Sequence, residues 1–453
     1  MRDLVLLIFV SFTNMMKIMK KDLSPLSFEK TKIVLGSSEN EEEGASMSNP
    51  TMGKPPSKLL LLGILSAVFA VNVIDVFVPL MLPEIAKTYG ISRAAAANFT
   101  AYSLLAGVIT GFALSAASIR VGYKKLLILG VLTTPICVLG VYLAPTFWQA
   151  QLFYALNGVG SVIVAAMSPS LIADLYPLSK KAVRISWSAS TAYIAILIAN
   201  PITGFLSNNS VVSSWRSSLL WFLLPVTAVS LLFVVLFVPS SISPLYGEPK
   251  KASFMNGFRA ITNNRSALAC LTSNFLGGIW LAATVYGPSF NADIFNLSPA
   301  IRGVLGSFTI GTVVSGMLIG GFLVNPFGRK RMMVTSGFTA VLVSVLSYVL
   351  MLVIPNLWLH VGLGLFSAFL GGFVFVAGPN LQVEQVPEYR GTNMLLGQGA
   401  IGLGRAIGVF VAGAILTLLG NSIGGYSTAI VVLAVGGLTG TLTLVLFAKD
   451  PCK

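Results

Sequence analysis

Long apolar runs separated by short polar connections set the pattern of this chain from about residue 58 onward. A run of about 20 apolar residues is what a helix needs to cross the hydrocarbon core of a bilayer. Such runs fit at 59–82, 95–118, 126–145, 149–174, 186–206, 217–239, 267–290, 303–324, 333–353, 358–383, 393–419 and 426–447, which predicts an all-α integral membrane fold with about twelve transmembrane helices. Residues 1–57 break the pattern. Lys17, Lys20, Lys21, Lys30 and Lys32 precede an acidic run at Glu39 and Glu41 to Glu43, and the composition predicts a disordered cytosolic tail. Within it, Leu4 to Phe12 is apolar but too short to span, and no small-residue cleavage site follows as a secretory signal requires.

Composition removes the main rival. Of 453 residues, 55% are hydrophobic and 10% charged, with a mean hydropathy of +0.85. An ordinary soluble domain is roughly 25% charged, so too few charges remain here to cover a water-facing surface. The three cysteines show no CxxC and no partner spacing, so neither a disulfide framework nor a metal site is implied, and nothing calls for a cofactor.

Charge adds orientation. Lys and Arg number 29 against 15 acids, a net +14. In a soluble protein that excess would suggest nucleic acid, but no basic stripe with interleaved aromatics is present, and nucleic acid is not an expected partner. Instead the basic residues fall in alternate connections: Arg120, Lys124 and Lys125; Lys180, Lys181 and Arg184; Lys250, Lys251, Arg259 and Arg265; Arg329, Lys330 and Arg331; Arg390; and Lys449 with Lys453. The intervening loops carry only Lys87, Arg93, Arg216 and Arg302, so the positive-inside rule puts them outside and both termini in the cytosol, with the cell membrane as the expected location. The expected domains are a six-helix bundle over 58–239, a cytoplasmic linker over 240–266, a second bundle over 267–448 and a short tail over 449–453.

The two halves repeat each other. An offset of 206 places Ile91-Ser92 on Leu297-Ser298, Gly122 on Gly328, Lys124 on Lys330 and Lys125 on Arg331; an offset of 210 places Pro169 on Pro379, Asp174 on Glu384, Pro177 on Pro387 and Lys180 on Arg390. Parallel repeats of six spans are a recurrent plan of secondary transporters, with the substrate site near midplane between the halves.

Two charges lie inside apolar runs. Asp75 stands in Asn72-Val-Ile-Asp75-Val-Phe-Val-Pro79-Leu-Met-Leu-Pro83, and a carboxylate at that depth costs about 2.5 to 3.5 kcal/mol to insert. Intramembrane acids face a wet cavity or a cationic partner, and one in a cavity can take up and release a proton. A structural acid hydrogen-bonded between helices is the other reading. Arg405, in Gly402-Leu-Gly404-Arg405-Ala-Ile-Gly408, is open to three roles: neutralising Asp75, meeting an anionic substrate group, or holding helices through backbone carbonyls.

From about Lys58 onward the chain resembles the major facilitator superfamily. The family's signature loop, between spans two and three and again between eight and nine, is matched by Gly321-Phe-Leu-Val-Asn325-Pro326-Phe-Gly328-Arg329-Lys330, with Asn for the usual acid and Pro for the first basic residue. The first copy, Ser115 to Lys125, keeps Arg120, Gly122, Lys124 and Lys125 but has Ile119 where the acid belongs. Asp75 with Pro79 resembles span one of drug:proton antiporters in this superfamily, and Ala199-Asn200-Pro201-Ile-Thr-Gly204 resembles the Gly-Pro-x-x-Gly-Gly motif of its exporters, where Pro and Gly permit a bend with tight packing. An ordinary proline kink is the alternative there. Tyr154 stands where such exporters carry an arginine in span four, ahead of Asn157-Gly158.

The resemblance implies a cavity lined by spans one, four, seven and ten. Candidate substrate contacts are Asn72, Tyr154, Asn157, Asn274, Trp280, Tyr286 and Ser367, with Gln398 and Arg405 on span eleven. Aromatics with a few amides suit an apolar, cationic or zwitterionic small molecule better than a sugar. His360 is expected near the outer interface. For gating, Asp174 with Arg120 or Arg184, and Glu384 with Arg329 or Lys330, are expected to hold the inner face shut in an outward-facing state, with Lys124, Asn325, Gly328 and Arg390 in the same inner-face set.

These readings favour a monomeric proton-coupled exporter of a small amphipathic molecule, with an importer or facilitator of a small metabolite or organic anion as the rival. A non-transporting scaffold or receptor is disfavoured by polar groups buried in several helices. No P-loop of the form GxxxxGK[ST] occurs, so ATP-driven pumping is disfavoured, and nothing points to an enzyme.

Overall fold

A computed structural model describes residues 58–117, 123–175, 178–208, 214–238, 254–386 and 389–450. The described residues form helices joined by short turns, with no strand among them, and twelve of the helices are long and apolar enough to cross a membrane. The first half consists of Lys58–Asp75 continued by Phe77–Tyr89, then Arg93–Ala117, Tyr123–Leu143, Phe147–Leu175 and Leu178–Ser207. Its sixth span passes through a π-helical turn, Leu219–Leu223, into Leu224–Phe237. The second half repeats the plan with Arg265–Leu281 continued by Ala283–Phe295, then Pro299–Phe327, Arg329–Val349, Leu357–Val383, Arg390–Leu419 and Ile423–Phe447. Large apolar side chains such as Phe322 and Leu418 point outward, as lipid contact requires.

Spans one and seven run longer than their apolar cores predict, and each is interrupted. Span one breaks at Val76, just after Asp75, and span seven at Ala282, just before Thr284. Proline supplies a reason: Pro79 and Pro288 lack the N–H that would bond the carbonyls of Asp75 and Thr284 four residues earlier. Both spans then end in a left-handed residue, Gly90 (φ 63°) and Asn296 (φ 52°), followed two residues later by Ser92 and Ser298, whose side chains cap the next helix.

The halves meet along three seams: span five against eight, span two against eleven, and the second segment of span one against the second segment of span seven. Lipid gives helices no hydrophobic reason to associate, so such seams depend on small residues that let backbones approach. Span five and span eight show this directly. A Cβ on Gly204 would lie 2.3 Å from the Pro299 carbonyl oxygen, and one on Gly303 2.3 Å from that of Asn200, while Ser307 Oγ donates to Leu197 O across the seam at 2.8 Å. The Asn200-Pro201-x-x-Gly204 motif is therefore an inter-half contact.

The end bearing Lys124 and Lys330 is here called the basic face. The expected linker ends in a short helix, Phe254–Asn263, and Asn264 then caps span seven through Ser266 N and Ala267 N. The proposed limits at 57, 239 and 453 border residues outside the described ones.

Candidate functional site

Asp75 lies midway along Leu59–Tyr89 and is exposed, although Val73, Ile74, Phe77 and Val78 around it are buried. Its Oδ1 accepts a hydrogen bond of 2.7 Å from Asn157 Nδ2 on span four. Beside it, the Tyr154 hydroxyl donates to Ile74 O at 3.4 Å, so the polar atoms of span four turn towards the break in span one.

Arg405 faces the same space from span eleven. Its Nη2 donates to Thr284 Oγ1 at 3.1 Å, and that hydroxyl donates onward to Leu281 O at 2.8 Å. Asp75 and Arg405 form no ion pair. Each charge is held within its own half by a neutral partner. The helix carrying Arg405 is seated by glycine: a Cβ on Gly404 would lie 1.9 Å from Phe275 O, and one on Gly408 2.4 Å from Ile279 O, both on span seven.

The opposite end of the inter-half space is closed by two reciprocal ion pairs. Arg93, at the start of span two, donates from Nε and Nη2 to Asp293 at the end of span seven, at 3.2 and 2.6 Å, and from Nη1 to Pro83 O at 2.6 Å. Arg302, near the start of span eight, donates to Glu84 at the end of span one and, at 2.7 Å, to Leu80 O. Tyr426 adds a hydroxyl to Asp293 at 2.7 Å. Each pair joins an arginine of one half to an acid of the other, and both arginines and both acids are offset by 209 residues. The same offset relates Asp75 to Thr284 and Pro79 to Pro288. This latch lies over the buried residues Leu80, Leu82, Ile85 and Phe290, while Asp75 and Thr284 are exposed.

Comparison with known proteins fits this geometry. The Major Facilitator Superfamily family model matches residues 60–348 and 300–452. The chain belongs to that superfamily. Among solved structures, a bacterial homolog of the human lysosomal transporter Spinster, inward-facing and unoccupied, superposes with a TM-score of 0.71 at 16% identity, covering 88% of this chain and all of that one. A D-xylose-proton symporter gives 0.71 at 15% identity, covering 87% and 98%, and a nucleoside transporter 0.68 at 14%, covering 86% and 100%. These likenesses establish the fold. A cis,cis-muconate transport protein of Acinetobacter baylyi is 35% identical over 119 residues, 26% of this chain and 27% of that protein's length.

The remaining residues expected in a facilitator cavity fall in several places. Gln398 is exposed, but Asn72 donates to Val68 O of its own helix at 2.8 Å. Tyr286 is buried, its hydroxyl donating to Val409 O at 2.8 Å and so tying span seven to eleven. Trp280 packs beside Gly437 of span twelve, and Ser367 donates to Ala340 O at 2.8 Å. Asn274 donates to Gln382 at 2.9 Å, within an amide cluster that includes Asn393. His360 is buried in an aromatic cluster with Phe290, Phe295 and Tyr348, its Nδ1 3.2 Å from Ser347 O.

The inner-face set is described in part, and the expected approach of Arg329 to Glu384 is present within it. Arg120 and Gly122 lie outside the described residues, as do the side chains of Asp174, Asn325 and Arg390. Arg329 and Glu384 approach to 3.8 Å, both in the second half. Lys330 does not pair with Glu384. Its ammonium caps the end of span twelve at Val445 O and Ala448 O, 2.9 and 2.8 Å, and Lys124 reaches the end of span six at Val235 O, 3.2 Å. These lysines answer the negative ends of helix dipoles rather than bridging the halves. Arg184 stacks over Trp187 at 4.1 Å. Glu84, Arg93, Asp293 and Arg302 close the other end.

Proposed function

We propose that this facilitator is a proton-coupled secondary carrier of a small amphipathic molecule, with Asp75 binding the proton in one limb of the cycle. The observation that carries this reading is that a carboxyl midway along a membrane span is exposed and bonded to Asn157 rather than clamped to Arg405. An acid so placed can exchange protons with the crevice and is free to change its state as the halves rock. The positive-inside rule puts the basic face in the cytosol, so the latch closes the outer face and the conformation is inward-facing.

Export is supported by the resemblance of Asp75 with Pro79, and of Asn200-Pro201-x-x-Gly204, to motifs of the superfamily's exporters. Uptake is the second reading. It is favoured by Tyr154 standing where such exporters carry an arginine, and by relatives named as a D-xylose-proton symporter and a cis,cis-muconate transport protein.

In proteoliposomes under an imposed pH gradient, Asp75→Asn should abolish gradient-driven movement of substrate while sparing exchange; full coupling in the variant would overturn the assignment. The wild-type sign separates the directions. Accumulation on the alkaline side means symport, and accumulation on the acid side means antiport.

A further inference from the structure

The arginines within or at the ends of the spans have partners that differ in kind. Arg93 and Arg302 each bond a carboxylate and a backbone carbonyl, Arg216 bonds the Tyr89 hydroxyl and Ala144 O, and Arg329 reaches Glu384 and Asn380 O. Arg405 has neither carboxylate nor carbonyl. One of its five N–H groups is used, on Thr284; its buried Nε has no acceptor, as is also true of Arg216 and Arg302. The helix needs no guanidinium for its packing, because Gly404 and Gly408 already bring spans seven and eleven together backbone to backbone.

Thr284 has the geometry of a holder. By donating to Leu281 O it turns its oxygen towards Arg405, which fixes one edge of the guanidinium and leaves Nη1 without a hydrogen-bond partner. A planar fork of N–H donors in a partly dehydrated crevice matches a carboxylate, which can accept two parallel hydrogen bonds. The nearest charge across the crevice, Asp75, is on the other half and unpaired with it.

We propose that Arg405, oriented by Thr284, is the recognition site for a carboxylate, so that the transported molecule is a small organic anion. This rests on the crevice being the transport site but not on the proton role of Asp75. An anion seated on Arg405 lies opposite Asp75, so a protonated Asp75 accompanies it more readily than an ionised one, which links loading of anion and proton.

The experiment is thermal stabilisation of the purified full-length protein by matched probes at equal concentration: benzoate and cis,cis-muconate as carboxylates, benzamide as a neutral isostere and benzylamine as a cation. The expected result is a rise in melting temperature with at least one carboxylate and none with benzamide or benzylamine. The carboxylate effect should be lost in Arg405→Ala, weakened at least tenfold in apparent affinity in Arg405→Lys and several-fold in Thr284→Val, and strengthened in Asp75→Asn, which removes the charge opposing the anion. The Lys and Val variants keep the test decisive if the Ala variant does not fold. No response to either carboxylate, a response to benzamide or benzylamine alone, or carboxylate binding untouched by Arg405→Lys would overturn the proposal. Loss of gradient coupling in Asp75→Asn with carboxylate binding intact supports both readings, whereas retained coupling with intact binding removes the proton assignment and leaves this one standing.

Discussion

Arg93 grips Asp293 with two guanidinium nitrogens across 200 residues of sequence, and by doing so it fastens the start of span two to the end of span seven. The pair is part-buried and bidentate, the geometry in which ion pairs gain most. Truncating one partner of a hydrogen-bonded charge pair in such a setting costs about 2 kcal/mol or more, about a 30-fold shift between two conformations. Asp293→Arg should therefore open the latch end, and labelling of Ser289→Cys, a buried position at that end, by a membrane-impermeant maleimide should rise sharply. The double variant Arg93→Asp with Asp293→Arg should return labelling towards the parent level. Unchanged labelling in the single variant would mean that the pair follows closure rather than holding it.

Arg302 offers a separate test because its side chain is fully buried while that of Glu84 is partly open. Removing the arginine leaves Leu80 O and the acid without their donor, a loss of about 3 kcal/mol. Arg302→Ala should lower the melting temperature of the purified protein by several degrees. Arg302→Lys should recover little, since one ammonium cannot reproduce a fork that reaches both a carboxylate and a carbonyl. Full recovery by lysine would show that only charge matters there.

The spans, the repeat and the basic connections were legible in the sequence because each depends on local composition. Asp75 stood out for the same reason, as a charge where the neighbours forbid one. The latch did not stand out. Glu84, Arg93, Asp293 and Arg302 sit at span ends, where charges are commonplace, and their pairing is visible only in three dimensions. The signal that could have found them was a third repeat register: the offset of 209 that relates both acids, both arginines, Asp75 with Thr284, and Pro79 with Pro288. The basic loops were ambiguous in the sequence. A lysine beside a helix end serves equally as a gate or as a cap, and only the carbonyls around Lys124 and Lys330 decide for the cap.

That distinction is measurable. If Lys330 caps span twelve, Lys330→Ala should cost about 1 kcal/mol of stability through its lost carbonyl contacts while leaving the balance of conformations nearly unchanged. Lys330→Arg, which can still reach Val445 O and Ala448 O, should behave like the parent. Thermal unfolding combined with thiol accessibility on both faces checks both halves of the expectation. A large shift in accessibility would restore Lys330 to the gate.

The seam between spans five and eight must hold while the halves move, and Gly303 tests that requirement most directly. A side chain there meets the Asn200 carbonyl oxygen at 2.3 Å and the Pro201 Cα at 3.3 Å, both backbone atoms that cannot swing aside. Gly303→Val should force the spans apart, removing the close backbone packing on which association in lipid depends. Substrate exchange should fall at least tenfold, and the melting temperature should drop with it. Gly306→Ala is gentler, because its Cβ would meet only the Asn200 side-chain amide, at 3.0 Å, and a modest loss is expected. Gly277→Ala, with no atom within 4 Å of the added carbon, should change neither quantity. An ordered series from Gly277 through Gly306 to Gly303 would place the rocking contact at this seam; equal effects at all three positions would assign the glycines to general helix packing instead.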